Sequence, residues 1–199
     1  MKNIVSKTAV KTVLIVISAL ILAFTTASLA FPQHMATLFE NMGAYSFATG
    51  YAGLAYKYSG TVQNLARCVD DSILAEDDAN VINYGEKLVS HEGFADYAKE
   101  RTEASGVDYY HFAYSYIACA KYSRGKKDEA LQTAKSAMQN VPDFPVNNAL
   151  AALAIKSVEN SDKEFAEKVY LSIVELGSEP AEDQLNYYET VLTILTQIK

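Results

Sequence analysis

Small and hydrophobic residues recur at intervals of three and four along the chain from residue 33 onward, which is the spacing of a buried helical face. Glycine, proline and polar clusters separate these stretches, and Asp108 stands where it would cap a helix starting at Tyr109. No stretch shows the alternation typical of a strand, so the sequence predicts an all-α fold. The predicted helices cover residues 33–42, 43–58, 62–74, 76–91, 94–104, 109–123, 126–140, 146–158, 163–176 and 178–197.

Residues 12–31 form a continuous apolar run without a charged side chain. Twenty helical residues at about 1.5 Å each span the ~30 Å hydrocarbon core of a bilayer. The run therefore predicts a helix that contacts the lipid bilayer along its whole length.

Three lysines precede the apolar run, whereas the first acidic residue follows it. The lysines are Lys2, Lys7 and Lys11. Positively charged flanks stay on the cytoplasmic side of a membrane, so the N-terminus is expected there and the rest of the chain outside. The predicted division is a cytoplasmic N-terminus at 1–11, a transmembrane helix or uncleaved signal anchor at 12–31, and an extracytoplasmic domain at 33–199.

Cleavage of the apolar run is the alternative. Ser28-Leu29-Ala30 offers small residues at the spacing that a signal peptidase reads, and cleavage after Ala30 would release a secreted soluble binding protein. The run is at the long end for a signal peptide, and helical patterning resumes at 35–39. We therefore favour an uncleaved anchor and keep release after Ala30 as the alternative.

The stretch from Phe112 to Pro142 carries two helical patterns that meet at Gly125. Small residues recur along the second pattern until the proline ends it. The stretch resembles one unit of the tetratricopeptide repeat family, in which two antiparallel helices pack closely through small side chains. The matching positions are Tyr114, Ile117 and Ala118 in the first helix, Gly125 and Lys127 at the turn, and Ala130, Ala134, Ala137 and Pro142 in the second.

Two further stretches fit the same template less completely. Residues 43–55 match the second helix of one unit, and the apolar run truncates the first helix of that unit. Residues 150–170 match a third unit, with serine at its turn. The spacing between units is irregular. The resemblance implies an irregular α-α superhelix of antiparallel helix pairs over 33–199, and an alanine-rich helical bundle is the alternative.

In repeats of this family the first helices line a concave groove that binds a partner. The resemblance therefore implies a groove lined by Phe112, Ser115, Cys119, Tyr122, Asn148, Ala151 and Ile155. Packing of these side chains on one another is the alternative. Because clustered lysines and arginines are missing from this set, an unknown protein or peptide partner with an apolar or aromatic segment is expected.

The composition excludes two classes of protein. Hydrophobic residues make up 50% of the chain and charged residues 21%, so the chain is not intrinsically disordered. The formal net charge is −7, and the body beyond the apolar run is more acidic still. Nucleic-acid binding is not expected, since it requires a basic surface.

No motif for catalysis, a cofactor or a metal appears in the sequence. Cys68 and Cys119 form no CxxC or metal-ligand spacing. We interpret them as small core residues, and a disulfide between them is the alternative. His111 lies among aromatic residues and is expected to be a packed neighbour of theirs, not a base. The acidic groups Asp70-Asp71 and Glu76-Asp77-Asp78 lack a calcium-loop pattern and are interpreted as solvated helix ends. We therefore expect a membrane-anchored scaffold for protein–protein interaction without enzymatic activity.

Overall fold

The computed structural model describes residues 2–139 and 148–176, and these residues form α-helices and no strand. The all-α prediction is confirmed across this part of the chain. The predicted helix at 178–197 and the connection containing Pro142 and Pro145 lie outside the described residues. The helices are α1 (Lys2–Ala30), α2 (Pro32–Asn41), α3 (Tyr45–Ser59), α4 (Val62–Leu74), α5 (Asp78–Val89), α6 (Phe94–Ser105), α7 (Tyr109–Ser123), α8 (Lys127–Gln139), α9 (Asn148–Glu159) and α10 (Lys163–Glu175).

The helices begin and end at the residues that local chemistry favours. The Asp108 carboxylate accepts hydrogen bonds from the backbone amides of Tyr110 at 3.1 Å and His111 at 3.2 Å, which confirms it as the cap of α7. Gly125 turns the chain between α7 and α8 with a φ of +76°, a conformation that favours glycine. Beyond the apolar segment, the described helices agree with the predicted boundaries to within two residues.

Helix α1 stands apart from the helical body. Its large apolar side chains from Val10 to Leu29 are 47–69% exposed, whereas Ser28 near its end is buried. Within it, residues 9–30 are long and apolar enough to cross a membrane, a property that signal sequences share.

Helix α7 is central to the body, since it packs against α5, α6, α8 and α9. Three of its side chains also make hydrogen bonds to other elements. The Tyr109 hydroxyl donates to Asp70 of α4 at 3.1 Å, Lys121 donates to Thr133 of α8 at 3.0 Å, and the Tyr122 hydroxyl donates to Asp162, which precedes α10, at 3.0 Å. These bonds fix the position of α7 relative to both ends of the body.

Small residues bring α7 close to its neighbours. Between α7 and α8, side chains that include Ala118, Ala130 and Ala134 are fully buried. Between α5 and α7, Gly85 faces Ile117, and a Cβ at Gly85 would lie only 2.5 Å from the Ile117 Cγ1. Any larger side chain at these contacts would push the two helices apart.

We expect Gly85→Ala to destabilise the helical body by about 1–3 kcal/mol, because the added methyl group overlaps the buried Ile117 side chain. The matched control is Gly50→Ala in α3, where a Cβ meets no atom within 4 Å. That change should stabilise the protein by about 0.5–1 kcal/mol through helix propensity. Urea unfolding of the full chain in detergent, followed by circular dichroism, measures both, and equal effects of the two substitutions would contradict the close α5–α7 contact.

Candidate functional site

A groove of about 770 Å³ opens between the α4–α5 turn, α7 and α9. Its floor is largely apolar, because α4, α5, α7 and α9 turn mainly small, branched or aromatic side chains toward it. The main contributors are Ile73, Val81, Tyr116, Ala120, Ala152 and Ile155. A floor of this kind can accommodate apolar or aromatic side chains of a partner.

The rim of the groove is acidic. Glu76, Asp77 and Asp78 lie along the α4–α5 side, and Glu159 lies on α9 beside Lys156. Burial raises the pKa of Asp78, while the positive charge of Lys156 opposes that shift. With more carboxylates than ammonium groups, the rim attracts positive charge at neutral pH.

The structure brings some of the predicted groove residues to this groove. Those that line it are Ser115, Cys119 and Ile155. Phe112 packs in an aromatic row on α7, with its ring centroid 5.5 Å from Tyr109 and 4.6 Å from Tyr116. The side chain of Asn148 lies outside the described atoms.

Two predicted groove residues lie in the core. Tyr122 is 7% exposed and stacks on Phe165 of α10, with ring centroids 5.3 Å apart and planes 17° apart. Ala151 is also buried, between α9 and its neighbours. Tyr122 and Ala151 therefore contribute to the core and are not among the residues that line the groove.

The two cysteines are free thiols. Burial raises the pKa of Cys68 to about 12 and that of Cys119 to about 11. Both thiols are therefore protonated at neutral pH and are weak nucleophiles. Cys119 lines the groove, and no histidine is among the described side chains that line it.

His111 is buried at the start of α7. Its Nδ1 contacts the Asp108 carboxylate, and its ring meets Tyr110 edge-on with centroids 6.0 Å apart. Burial alone would raise the pKa of Asp108, but hydrogen bonds from His111 and from backbone amides outweigh it and lower that pKa. The pair stabilises the start of the helix, in agreement with the structural role expected for His111.

A second, polar pocket of about 410 Å³ lies between α2, α4 and α6. Arg67 of α4 dominates it by reaching back to α2. Its guanidinium contacts the Glu40 carboxylate, donates to the Thr37 hydroxyl at 2.6 Å and donates to the Gln33 carbonyl at 3.3 Å. These contacts attach the first helix after the apolar segment to the helical body.

Asp71 lies beside this arginine and is only 3% exposed. Its Oδ2 atom is buried without a hydrogen-bond partner. Burial and the neighbouring charge of Glu40 raise its pKa to about 7, whereas the positive charge of Arg67 opposes the rise. Asp71 thus lies in the last turn of α4 but is buried, so its interpretation as a solvated group was wrong.

The arginine network was missed from the sequence because its members lie on separate helices. Glu40 and Arg67 are 27 residues apart, and neither is part of a recognisable motif. The only local signal was the spacing of Arg67 and Asp71, which places the two side chains on the same face of α4.

Comparisons with known proteins identify no family for this chain. No protein-family model matches the chain, and no curated protein matches it in sequence. Within the described residues, no cluster of three or more His, Cys, Asp or Glu side chains could hold a metal ion. The resemblance to tetratricopeptide repeats remains a prediction from the sequence pattern.

We expect the contribution of Asp71 to the stability of the protein to fall as the pH rises from about 4 to 7. Asp71 has a raised pKa in the folded state, so the folded protein holds a proton there that the unfolded chain releases above its ordinary pKa of 3.8. Asp71→Asn removes this titration. The substitution should therefore raise the free energy of unfolding by on the order of 1–2 kcal/mol more at pH 8 than at pH 4.5, since solvent in the pocket screens part of the effect.

Urea unfolding at both pH values measures this difference. Glu103→Gln on the exposed face of α6 is the matched control, because it removes a carboxylate without touching the pocket. A difference between Asp71→Asn and the original protein that is the same at pH 4.5 and pH 8 would contradict the raised pKa.

Proposed function

We propose that the protein is a single-pass membrane protein whose helical-repeat domain binds a protein partner on the extracytoplasmic side, without catalysis. The observation that carries the proposal is the apolar helix α1, whose large side chains contact no other part of the described body over most of its length. Such a surface is unfavourable in water and favourable in a bilayer.

Retention of α1 is favoured over its removal. Ser28 to Ala30 are helical, and the Phe31 amide continues the helix by donating to the Ala27 carbonyl at 2.9 Å. A protease would have to unwind this segment to reach the bond after Ala30. The orientation follows from the three N-terminal lysines, which keep the N-terminus cytoplasmic.

The repeat interpretation is supported by the way in which consecutive helices pair. Helices α7 and α8 pack together across a tight turn, as do α9 and α10. Helices α7 and α9, the first helices of these two pairs, also pack against each other. In a repeat array this side-by-side contact between first helices produces one continuous binding face.

The groove between α5, α7 and α9 is the proposed binding site for the partner. Its apolar floor suits an apolar or aromatic segment, and its acidic rim suits lysine or arginine residues flanking that segment. The net charge of −7 supports the same choice and disfavours nucleic acid.

We expect the full-length chain to remain in membranes washed with alkaline carbonate, because a spanning helix resists conditions that remove peripheral proteins. Its mass in that fraction should include residues 1–30. Ala30→Leu is the matched control, since it removes the small residue that a signal peptidase requires and should leave the mass unchanged. A shorter, soluble protein that Ala30→Leu converts to the full-length form would instead establish the secreted alternative.

We expect Ile155→Ala to weaken capture of the partner about tenfold, because it removes apolar contact from the groove floor. The measurement is cross-linking in intact cells followed by quantification of the captured protein. Leu171→Ala is the matched control, as it truncates an exposed side chain on α10. Tyr122 is unsuitable for this test because its ring is buried in the core.

The charge of the rim is tested separately with Glu76→Gln combined with Glu159→Gln. Capture should fall most at low salt, since surface charges are screened as salt rises. Glu100→Gln combined with Glu103→Gln on α6 is the control of equal charge. Unchanged capture by both the Ile155 and the rim variants would exclude the groove as the binding site.

A further inference from the structure

Helix α2 carries an exposed apolar stripe directly after the membrane segment. Phe31, Leu38 and Met42 are separated by seven and four residues, which places them on one side of the helix. They are 59%, 45% and 68% exposed. Met35, next to the stripe, and Ala36, farther round the helix, are buried against the body.

The aromatic side chains around the stripe extend it onto α3. Phe39 of α2 stacks on Phe47, with ring centroids 5.3 Å apart, and Phe47 is itself exposed. No lysine or arginine lies between Phe31 and Phe47, and Glu40, the acidic residue in this stretch, is engaged by Arg67. The surface is therefore largely apolar and has no lysine or arginine, although the exposed His34 meets Phe31 edge-on with ring centroids 6.0 Å apart.

The position of this surface in the chain identifies what covers it. Phe31 follows α1 immediately, and its backbone leaves the helical conformation with φ −130° and ψ 58°, so the helix axis changes direction at the start of α2. A segment that leaves the hydrocarbon core enters the headgroup region of the same bilayer, where exposed Phe, Leu and Met side chains are favourable.

We propose that α2 and the start of α3 lie on the bilayer, with Phe31, Leu38, Met42 and Phe47 in contact with its headgroup and upper acyl region. The contact depends on buried apolar area, not on anionic lipid, because the surface has no lysine or arginine. Helix α2 packs along α3, and the contacts of Arg67 with Glu40, Thr37 and Gln33 tie it to α4, so the bilayer contact sets the orientation of the whole domain. This inference rests on the proposed membrane anchoring by α1.

The chain has no tryptophan, so a single introduced tryptophan reports on one position alone. The full-length protein is reconstituted into phosphatidylcholine vesicles that carry a spin label either near the headgroup or near the end of the acyl chain. The variants Leu38→Trp and Met42→Trp probe the stripe, Leu20→Trp probes α1, and Leu171→Trp on the exposed face of α10 is the control. All four positions are exposed, so the substitutions do not disturb the core.

We expect the fluorescence of Leu38→Trp and Met42→Trp to be shifted to shorter wavelength and quenched more by the headgroup label than by the acyl-chain label. Leu20→Trp should be quenched more by the acyl-chain label, and Leu171→Trp by neither. Replacing part of the phosphatidylcholine with an anionic lipid should leave the quenching at Leu38→Trp and Met42→Trp unchanged.

Three other outcomes overturn the inference in distinguishable ways. Quenching at Leu20→Trp without quenching at Met42→Trp means that α1 is inserted in the bilayer and that α2 does not contact it. A fluorescence shift to shorter wavelength at Met42→Trp, without quenching by either lipid label and increasing with the protein-to-lipid ratio, means that a second copy of the chain covers the stripe. The absence of quenching at Leu20→Trp removes the proposed anchoring itself.

Discussion

The close approach of α5 and α7 at Gly85 and Ile117 is the contact on which the rest of the body depends. Helix α7 packs against four other helices, so its distance from α5 sets where α8 and α9 can lie. Short helices bury little surface individually and are stable only when neighbours cover them closely. The buried hydrogen bonds of Tyr109, Lys121 and Tyr122 then fix α7 in position along its axis. Packing sets the separation of these helices, and the polar contacts set their register.

The attachment of α2 to α4 has a different physical basis. Helix α2 packs along α3, and a single guanidinium group on α4 adds three polar connections to it. A charged group of this kind resists rotation of α2 because its planar donors match several acceptors at once. The partly protonated Asp71 beside it limits the negative charge in the pocket at neutral pH. A membrane helix joined to the body in this way would transmit its orientation to the domain.

The groove and the membrane-side surface lie on different helices, so they can act independently. The groove is formed by α5, α7 and α9, at the centre of the body. The apolar stripe is on α2, next to the segment proposed to cross the bilayer. In the proposed scaffold, this arrangement would keep the partner site accessible while the first helices contact lipid. In that proposal the acidic rim of the groove would add selectivity for positively charged partners, because it repels negatively charged ones.

Local chemistry determined where the helices begin and end. The Asp108 cap, the left-handed turn at Gly125 and the uncharged run at 12–31 depend on neighbours in the chain, and each was predictable from sequence. Local sequence did not predict which sides of the helices pack against one another. Tyr122 was assigned to the groove, yet it bonds Asp162, 40 residues away, and Asp71 is buried beside a Glu40 on another helix. Helical periodicity shows that a face is apolar, but only the crossing of distant helices decides whether that face becomes core, groove or membrane contact.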